Sequence, residues 1–310
     1  MNRIVKLLPY LLLGFLFTQC KPYQVATKPN EMKYSEFTAQ QKFWDSPEGK
    51  IAYIDKGEGK PLLLLHGVPT SGWLYRKMID PLVAKGYRVI VPDMLGFGNS
   101  DSPKGYEIYD KKAHANRIWG LMKYLEIEKW THVMHDAGGL WTWEMLKVDP
   151  DKMDKLIILN TIIYEEGFEP PVKMKKGFFA KIPMWAYRNM SGMMIGKLFK
   201  NGTNDHNMSK AEIEGYTTPL KQGKTKALYK FFTTNTHGIP DYSSVLQSMN
   251  VPVRVIWGTD DKILLWNKQS ERVIKDLKID EANVHLLKKN HFIQEEATEK
   301  VIELITGFME

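Results

Sequence analysis

Apolar positions along this chain follow two rhythms. Short runs of strand length occur at Pro61–His66, Tyr87–Val91, Thr131–His135, Lys155–Asn160, Val251–Trp257 and Val284–Leu287. Between them lie stretches with helical spacing, at Trp73–Ala84, Lys111–Leu125, Leu140–Val148 and about Glu295–Phe308. Near the start, Phe43–Ile54 places the turn signal Ser46-Pro-Glu-Gly49 between two strand-like pieces, which predicts a hairpin. An unbroken run such as Leu62–Leu65 suits a strand covered on both faces. Strands alternating with helices predict an α/β fold, with a mostly parallel eight-stranded sheet and helices on both faces.

The alternation breaks between about Tyr164 and His237. That stretch is rich in Met, Lys, Phe and Gly and shows helical patches but no clear strand. It predicts a helical cap, residues 164–237, inserted into a core made of residues 41–163 and 238–310. Residues 21–40 have few clustered apolar side chains and read as a tether. Residues 1–20 read as a leader: Arg3 and Lys6 precede the apolar run Leu7–Phe17, which is too short to span a bilayer comfortably. The run ends at Cys20, the only cysteine, so the chain has no internal disulfide. The leader resembles a bacterial lipoprotein signal, with Phe17 and Gln19 where that signal usually has Leu and a small residue. The resemblance implies export and a lipid anchor on Cys20 at a bacterial membrane. At 310 residues the chain can bury a sizeable core. Its net charge of +7 comes without the Lys/Arg run that grips nucleic acid, and reads as a solvated basic surface.

Chemistry concentrates in Thr131-His-Val-Met-His-Asp-Ala-Gly-Gly-Leu140. An apolar strand, two glycines and a helix pattern predict a very tight turn that lifts Asp136 clear of the sheet edge. Sites in parallel sheets form at the carboxyl ends of strands. Three more candidates stand at such ends: His66-Gly-Val-Pro69, Trp257-Gly-Thr-Asp-Asp-Lys262 and Asn290-His-Phe292. Alone, each has a bland explanation: a helix cap for Asp136, a turn residue for Asp260 or Asp261, a packed side chain for His291. Together, in that order, they supply a nucleophile, an acid and a histidine. A carboxylate is already an anion at neutral pH and attacks without a base. On an ester or amide it would give a mixed anhydride. On a saturated carbon bearing a leaving group it gives an ordinary alkyl ester, which His291 could hydrolyse by activating water. The pattern therefore points to a small apolar alkyl substrate. The acidic and histidine positions lack zinc-ligand spacing, no phosphate loop is present, and the chemistry calls for no cofactor.

Four segments carry a family resemblance: His66-Gly-Val-Pro-Thr-Ser71, Pro92-Asp-Met-Leu-Gly-Phe-Gly-Asn-Ser-Asp101, His135-Asp-Ala-Gly-Gly139 and His291-Phe-Ile-Gln-Glu295. They resemble the α/β-hydrolase superfamily, and within it the haloalkane dehalogenase and epoxide hydrolase branches, which share an Asp nucleophile. Trp73-Leu-Tyr-Arg-Lys-Met78 and Leu156-Ile-Ile-Leu-Asn160 lean towards the dehalogenases. The similarity runs from about Phe43 and is weakest across the cap. It implies Asp136 as nucleophile, His291 as base and Asp261 as the acid that orients the imidazole. Asp261 is preferred to Asp260 because the family acid usually follows the glycine, here Gly258, by three positions. The backbone N–H groups of Val68 and Ala137 would form the oxyanion hole, where losing one donor costs about 3 kcal/mol of barrier.

The chain departs from the dehalogenase pattern at two places. Those enzymes resemble one another in a Trp directly after the nucleophile, where this chain has Ala137. A second halide donor is often an Asn where this chain has Val68. In another branch a cap Trp does that work, and Trp185 stands about where it would be. A desolvated halide with one N–H donor instead of two would lose about 1.5–3 kcal/mol. Epoxide hydrolases use cap tyrosines to protonate the ring oxygen, and Tyr164 and Tyr216 are candidates, with Tyr187 and Tyr229 also available. Trp141 and Trp143 read as packing residues. The expectation is a haloalkane-dehalogenase-like hydrolase. The alternatives are an epoxide hydrolase or, from another class, a lipid-anchored binding protein on a non-catalytic hydrolase fold.

Overall fold

The computed structural model describes residues 31–150 and 152–310. The leader and Cys20 lie outside the described residues. Eight strands form one sheet: β1 Lys42–Ser46, β2 Gly49–Lys56, β3 Lys60–Leu65, β4 Tyr87–Pro92, β5 Trp130–Asp136, β6 Met153–Thr161, β7 Val253–Gly258 and β8 Val284–Leu287. Their order is β1-β2-β4-β3-β5-β6-β7-β8. The β1–β2 hairpin and the β2–β4 pair are antiparallel, and every later pair is parallel. The central strands explain the apolar runs. Leu62–Leu65 and Leu156–Leu159 are buried because helices cover both faces.

The helices are α1 Tyr34–Thr38, α2 Arg76–Ala84, α3 Lys111–Tyr124, α4 Gly138–Leu146, α5 Lys181–Asn189, α6 Ser191–Gly202, α7 Lys210–Lys221, α8 Lys226–Lys230, α9 Ser243–Ser248, α10 Trp266–Asp276, α11 Ile293–Glu296 and α12 Thr298–Met309. Two helices, α2 and α12, pack together on one face of the sheet, while α3, α4, α9 and α10 form a second layer. Between β6 and β7 the chain leaves the sheet to build α5 to α8, which continue into a π-helical turn at Phe231–Asn235.

Two boundaries move. Residues 34–38, expected within the tether, form α1. Its Phe37 is buried against the Trp73 ring at 5.3 Å, so apolar packing holds this segment to the core. Residues 164–168, expected to open the cap, pack on the core instead. Leu265 N–H donates to Gly167 O at 2.8 Å, and Phe168 bridges to Leu264.

The cap is tied to the core by a buried ionic cluster. Arg76 of α2 donates to Glu295 of α11 and, at 3.0 Å, to Glu212 of α7. Lys77 adds a 2.6 Å bond to Glu295 and also pairs with Glu212. The Trp73 indole donates to Glu212 O at 3.1 Å, and a Cβ at Gly215 would collide with that indole. Two cations, the half-buried Lys77 among them, make burial of Arg76 and both carboxylates tolerable.

Candidate active site

The turn after β5 holds Asp136 at φ +50°. A non-glycine residue in this left-handed region costs about 1–3 kcal/mol unless its surroundings fix it. Here they do. The Asp136 carbonyl accepts from Thr161 Oγ1 at 2.7 Å and from Ile162 N–H at 3.1 Å, both at the end of β6. The side chain is held as well. Asp136 Oδ1 accepts from Val68 N–H at 2.7 Å, and Ala137 N–H also donates to the carboxylate. Gly67 allows this approach, because a Cβ there would collide with the Asp136 carboxylate.

His66 sets the position of the Val68 loop. Its Nδ1–H donates to Gly67 O at 2.7 Å, and its Nε2 accepts from Met94 N–H at 3.0 Å. Burial lowers its pKa to about 4, so this ring stays neutral and serves as a strut.

His291 follows β8 and lies buried beside Asp136, with Nε2 3.8 Å from Asp136 Oδ2. Its Nδ1–H donates to Asp261 Oδ2 at 2.8 Å, which leaves Nε2 with its lone pair towards Asp136. Asp261 is itself held at both oxygens. Asn160 Nδ2 donates to Oδ2 at 2.8 Å, and the Ile263 and Leu264 N–H groups donate to Oδ1 at 2.8 and 3.0 Å. Asp260 instead bonds Asn204 on the exposed side.

The electrostatics follow from these contacts. Burial pushes the Asp136 pKa up, and the nearby imidazole and the two N–H groups offset only part of that, so it stays raised. Burial also pushes Asp261 up, but the His291 charge and hydrogen bond, with Asn160 and the Ile263 amide, bring it below the ordinary carboxylate value. For His291, burial favours the neutral ring, yet the two carboxylates prevail and raise its pKa.

This is a buried carboxylate at a strand-to-helix corner, backed by two backbone donors, an imidazole and a second carboxylate in the chain order Asp136, Asp261, His291. The alpha/beta hydrolase fold family matches residues 60–298. The chain belongs to that family. Among alpha/beta hydrolases it is 28% identical to a haloalkane dehalogenase of Psychrobacter cryohalolentis, over 86% of this chain and 89% of the relative. It is 29% identical to another from Mycobacterium marinum, over 85% and 90%. An epoxide hydrolase from Vigna radiata superposes with a TM-score of 0.71 at 20% identity, covering 87% of this chain and 97% of the other. A thermophilic esterase from Thermogutta terrifontis does so at 0.69 and 20%, covering 87% and 98%. The last two show a shared fold only, and a fold that hosts several reactions does not fix the chemistry.

The expected cap residues fare differently from the strand-end residues. Trp185 is 59% exposed on α5, and an indole in water cannot hold a desolvated halide. The Tyr164 hydroxyl donates to Asp276 Oδ2 at 2.6 Å, and its ring lies under Arg272, so it fastens the chain to α10. The Tyr216 hydroxyl donates to Glu295 Oε1 at 2.7 Å and belongs to the ionic cluster. Tyr229 bonds the backbone of Gly177. Tyr187 is buried, its pKa is pushed up to about 12, and its hydroxyl has no hydrogen-bond partner among the described residues. Trp141 and Trp143 pack inside, the first against His66 and the second donating to Ile162 O.

From sequence, His135 reads as a buried supporting residue, whereas Asn160 has no assigned role. Asn160 bridges Asp261 to Gly258, whose N–H donates to Asn160 Oδ1 at 2.7 Å. Its signal was a lone amide closing an apolar strand. His135 donates from Nε2 to His291 O at 3.0 Å, with the two rings 4.6 Å apart. His206, Glu212 and Glu295 lie close enough to hold a cation, but Arg76 and Lys77 already neutralise the two carboxylates.

Proposed function

We propose that this chain is a hydrolase that opens a carbon–halogen bond of a small apolar substrate through an ester on Asp136. The observation that carries the reading is the division of labour at that carboxylate. Oδ1 accepts from the Val68 N–H, while Oδ2 faces the His291 ring. Oδ2 attacks the saturated carbon, the C–X bond breaks, and the halide leaves with the bonding pair. In the ester, Oδ1 becomes the carbonyl oxygen and already accepts from the Val68 N–H, with the Ala137 N–H donating to the same carboxylate. Nε2 of His291 takes a proton from water, whose oxygen adds to the ester carbonyl carbon. Asp261 stabilises the resulting imidazolium, and collapse expels the alkoxide, which takes the proton back from the imidazolium, leaves as the alcohol and frees the Asp136 carboxyl group. The haloalkane dehalogenases among the relatives support this choice.

A second reading, epoxide opening, rests on Tyr187. Its unpartnered hydroxyl is protonated at neutral pH and suits a ring oxygen better than a halide. Ala137 and Val68 offer no side-chain N–H for a halide. Chlorinated, brominated and epoxide substrates assayed side by side separate the two. Halide release with alcohol formation supports the first reading. Diol formation without halide release from any haloalkane overturns it in favour of the second. Turnover of neither class favours the non-catalytic binding protein. The leader further supports lipid attachment at Cys20. Fatty-acid labelling of the expressed protein, lost in Cys20→Ser, is the expected result.

A further inference from the structure

The cap carries an apolar surface that the catalytic reading does not use. Phe178 and Phe179 stand at the turn into α5, 73% and 81% exposed, with their rings edge to face at 5.9 Å. Ile182 and Trp185 continue the surface along α5, 55% and 59% exposed, while Met184 and Tyr187 of the same helix are buried. Ile182 and Trp185 share one face of α5, and Phe178 and Phe179 stand in the turn just before it, so the exposed apolar side chains are grouped and not scattered.

Charge around the patch is one-sided. Residues 170–204 contain seven Lys and Arg and no Asp or Glu, as much positive charge as the net +7 of the entire chain. Lys173, Lys175, Lys176, Lys181 and Arg188, in and just before α5, are all exposed, and Lys176 lies 3.8 Å from Glu107 of the core. A protein partner's apolar groove would match the aromatics alone. A surface with acidic groups above hydrocarbon matches both features, because aromatic rings favour the membrane interface and lysines the headgroups.

The start of the described chain also touches the cap. Both α1 and α5 contact the cap helix α7. Ten residues lie between Cys20 and Glu31, a reach of up to ~40 Å. A lipid on Cys20 would thus allow the cap to touch the same membrane.

We propose that the 178–185 face of the cap docks on an anionic bilayer, inserting its aromatic side chains to interfacial depth with the lysines on the headgroups. This holds whatever bond Asp136 cleaves. The cap is thereby the membrane-facing end of the protein, and apolar compounds dissolved in the bilayer are the substrates brought nearest to it.

The test uses the full chain with Cys20→Ser and an environment-sensitive fluorophore on Phe179→Cys. A second preparation carries the label on Tyr124→Cys, an exposed position on α3. Vesicles of phosphatidylcholine, with and without phosphatidylglycerol, are added, and brominated acyl chains report depth. The expected result is a blue shift and bromine quenching at position 179 but not at 124. Binding should weaken about tenfold in Lys175→Glu/Lys176→Glu and on raising salt. These are exposed side chains, and circular dichroism checks that each variant folds. Protein that pellets through its leader while the 179 label stays in water overturns the proposal. So does a blue shift that rises with protein concentration without lipid, which would assign the face to a second copy of the chain.

Discussion

At the residue scale the account turns on why Asp136 and His291 share one buried corner. Each perturbs the other, and both are held in place by backbone N–H groups or a second carboxylate. Asp136→Ala should lower turnover by ~10⁴-fold or more, since no other group can form the ester. His291→Gln should still allow attack but stall hydrolysis, so intact-protein mass spectrometry should find the alkyl group on Asp136. The pH profile has a defined sign. His291 must be neutral to act as base, and its pKa is raised, so activity should fall as pH drops through a value above that of an ordinary histidine. Asp261→Asn removes the charge that raises it most and should move this acid limb to lower pH. Positions of this kind were legible in the sequence because strand ends are fixed by short apolar runs. The cap side chains were not. Whether Trp185 or Tyr164 faces the site depends on how helices pack over the sheet, which local spacing does not encode.

At the scale of elements, the strands matched their apolar runs to within about two residues, as at Val284–Leu287. Strand periodicity and β-branched runs are local signals. The long β6 also ends where expected, but the function of its last residues depends on a crossover: Asn160 reaches Asp261, and Thr161 reaches Asp136, only after β5, β6 and β7 pair. The latch between α2, α7 and α11 was likewise hidden, since Arg76, Glu212 and Glu295 are far apart in sequence. Replacing Arg76 with Met leaves two buried carboxylates short of a cation, and should destabilise the fold by about 3–5 kcal/mol in urea unfolding. Arg76→Met combined with Glu295→Gln should recover part of that loss.

Across the whole molecule, a slightly acidic hydrolase core supports a cap segment, residues 170–204, that carries charge equal to the chain's entire excess. Composition alone made that charge look like a dispersed solvated surface, and only the exposed aromatic side chains of α5 give it a direction. Acid stability belongs to this scale too. Burial works against ionisation of Glu295, but Arg76 and Lys77 hold its pKa down to about 2. The stability this gives is complete above pH 4.5 and is lost as pH falls through about 2. Thermal unfolding followed at intervals from pH 5 to pH 2 should show the decline, and Glu295→Gln should flatten it. The α1 segment adds a further lesson. Too few apolar residues mark it as structured, yet Phe37 finds a place against Trp73 once the sheet exists.

The central claim, an ester on Asp136, has one direct measurement: a single turnover with excess enzyme in heavy-oxygen water, followed by mass analysis of product and of the peptide containing Asp136. The account predicts heavy oxygen in the Asp136 carboxylate and ordinary oxygen in the first product released. Heavy oxygen in that product, with none in Asp136, would mean that water attacked the substrate directly and would contradict it.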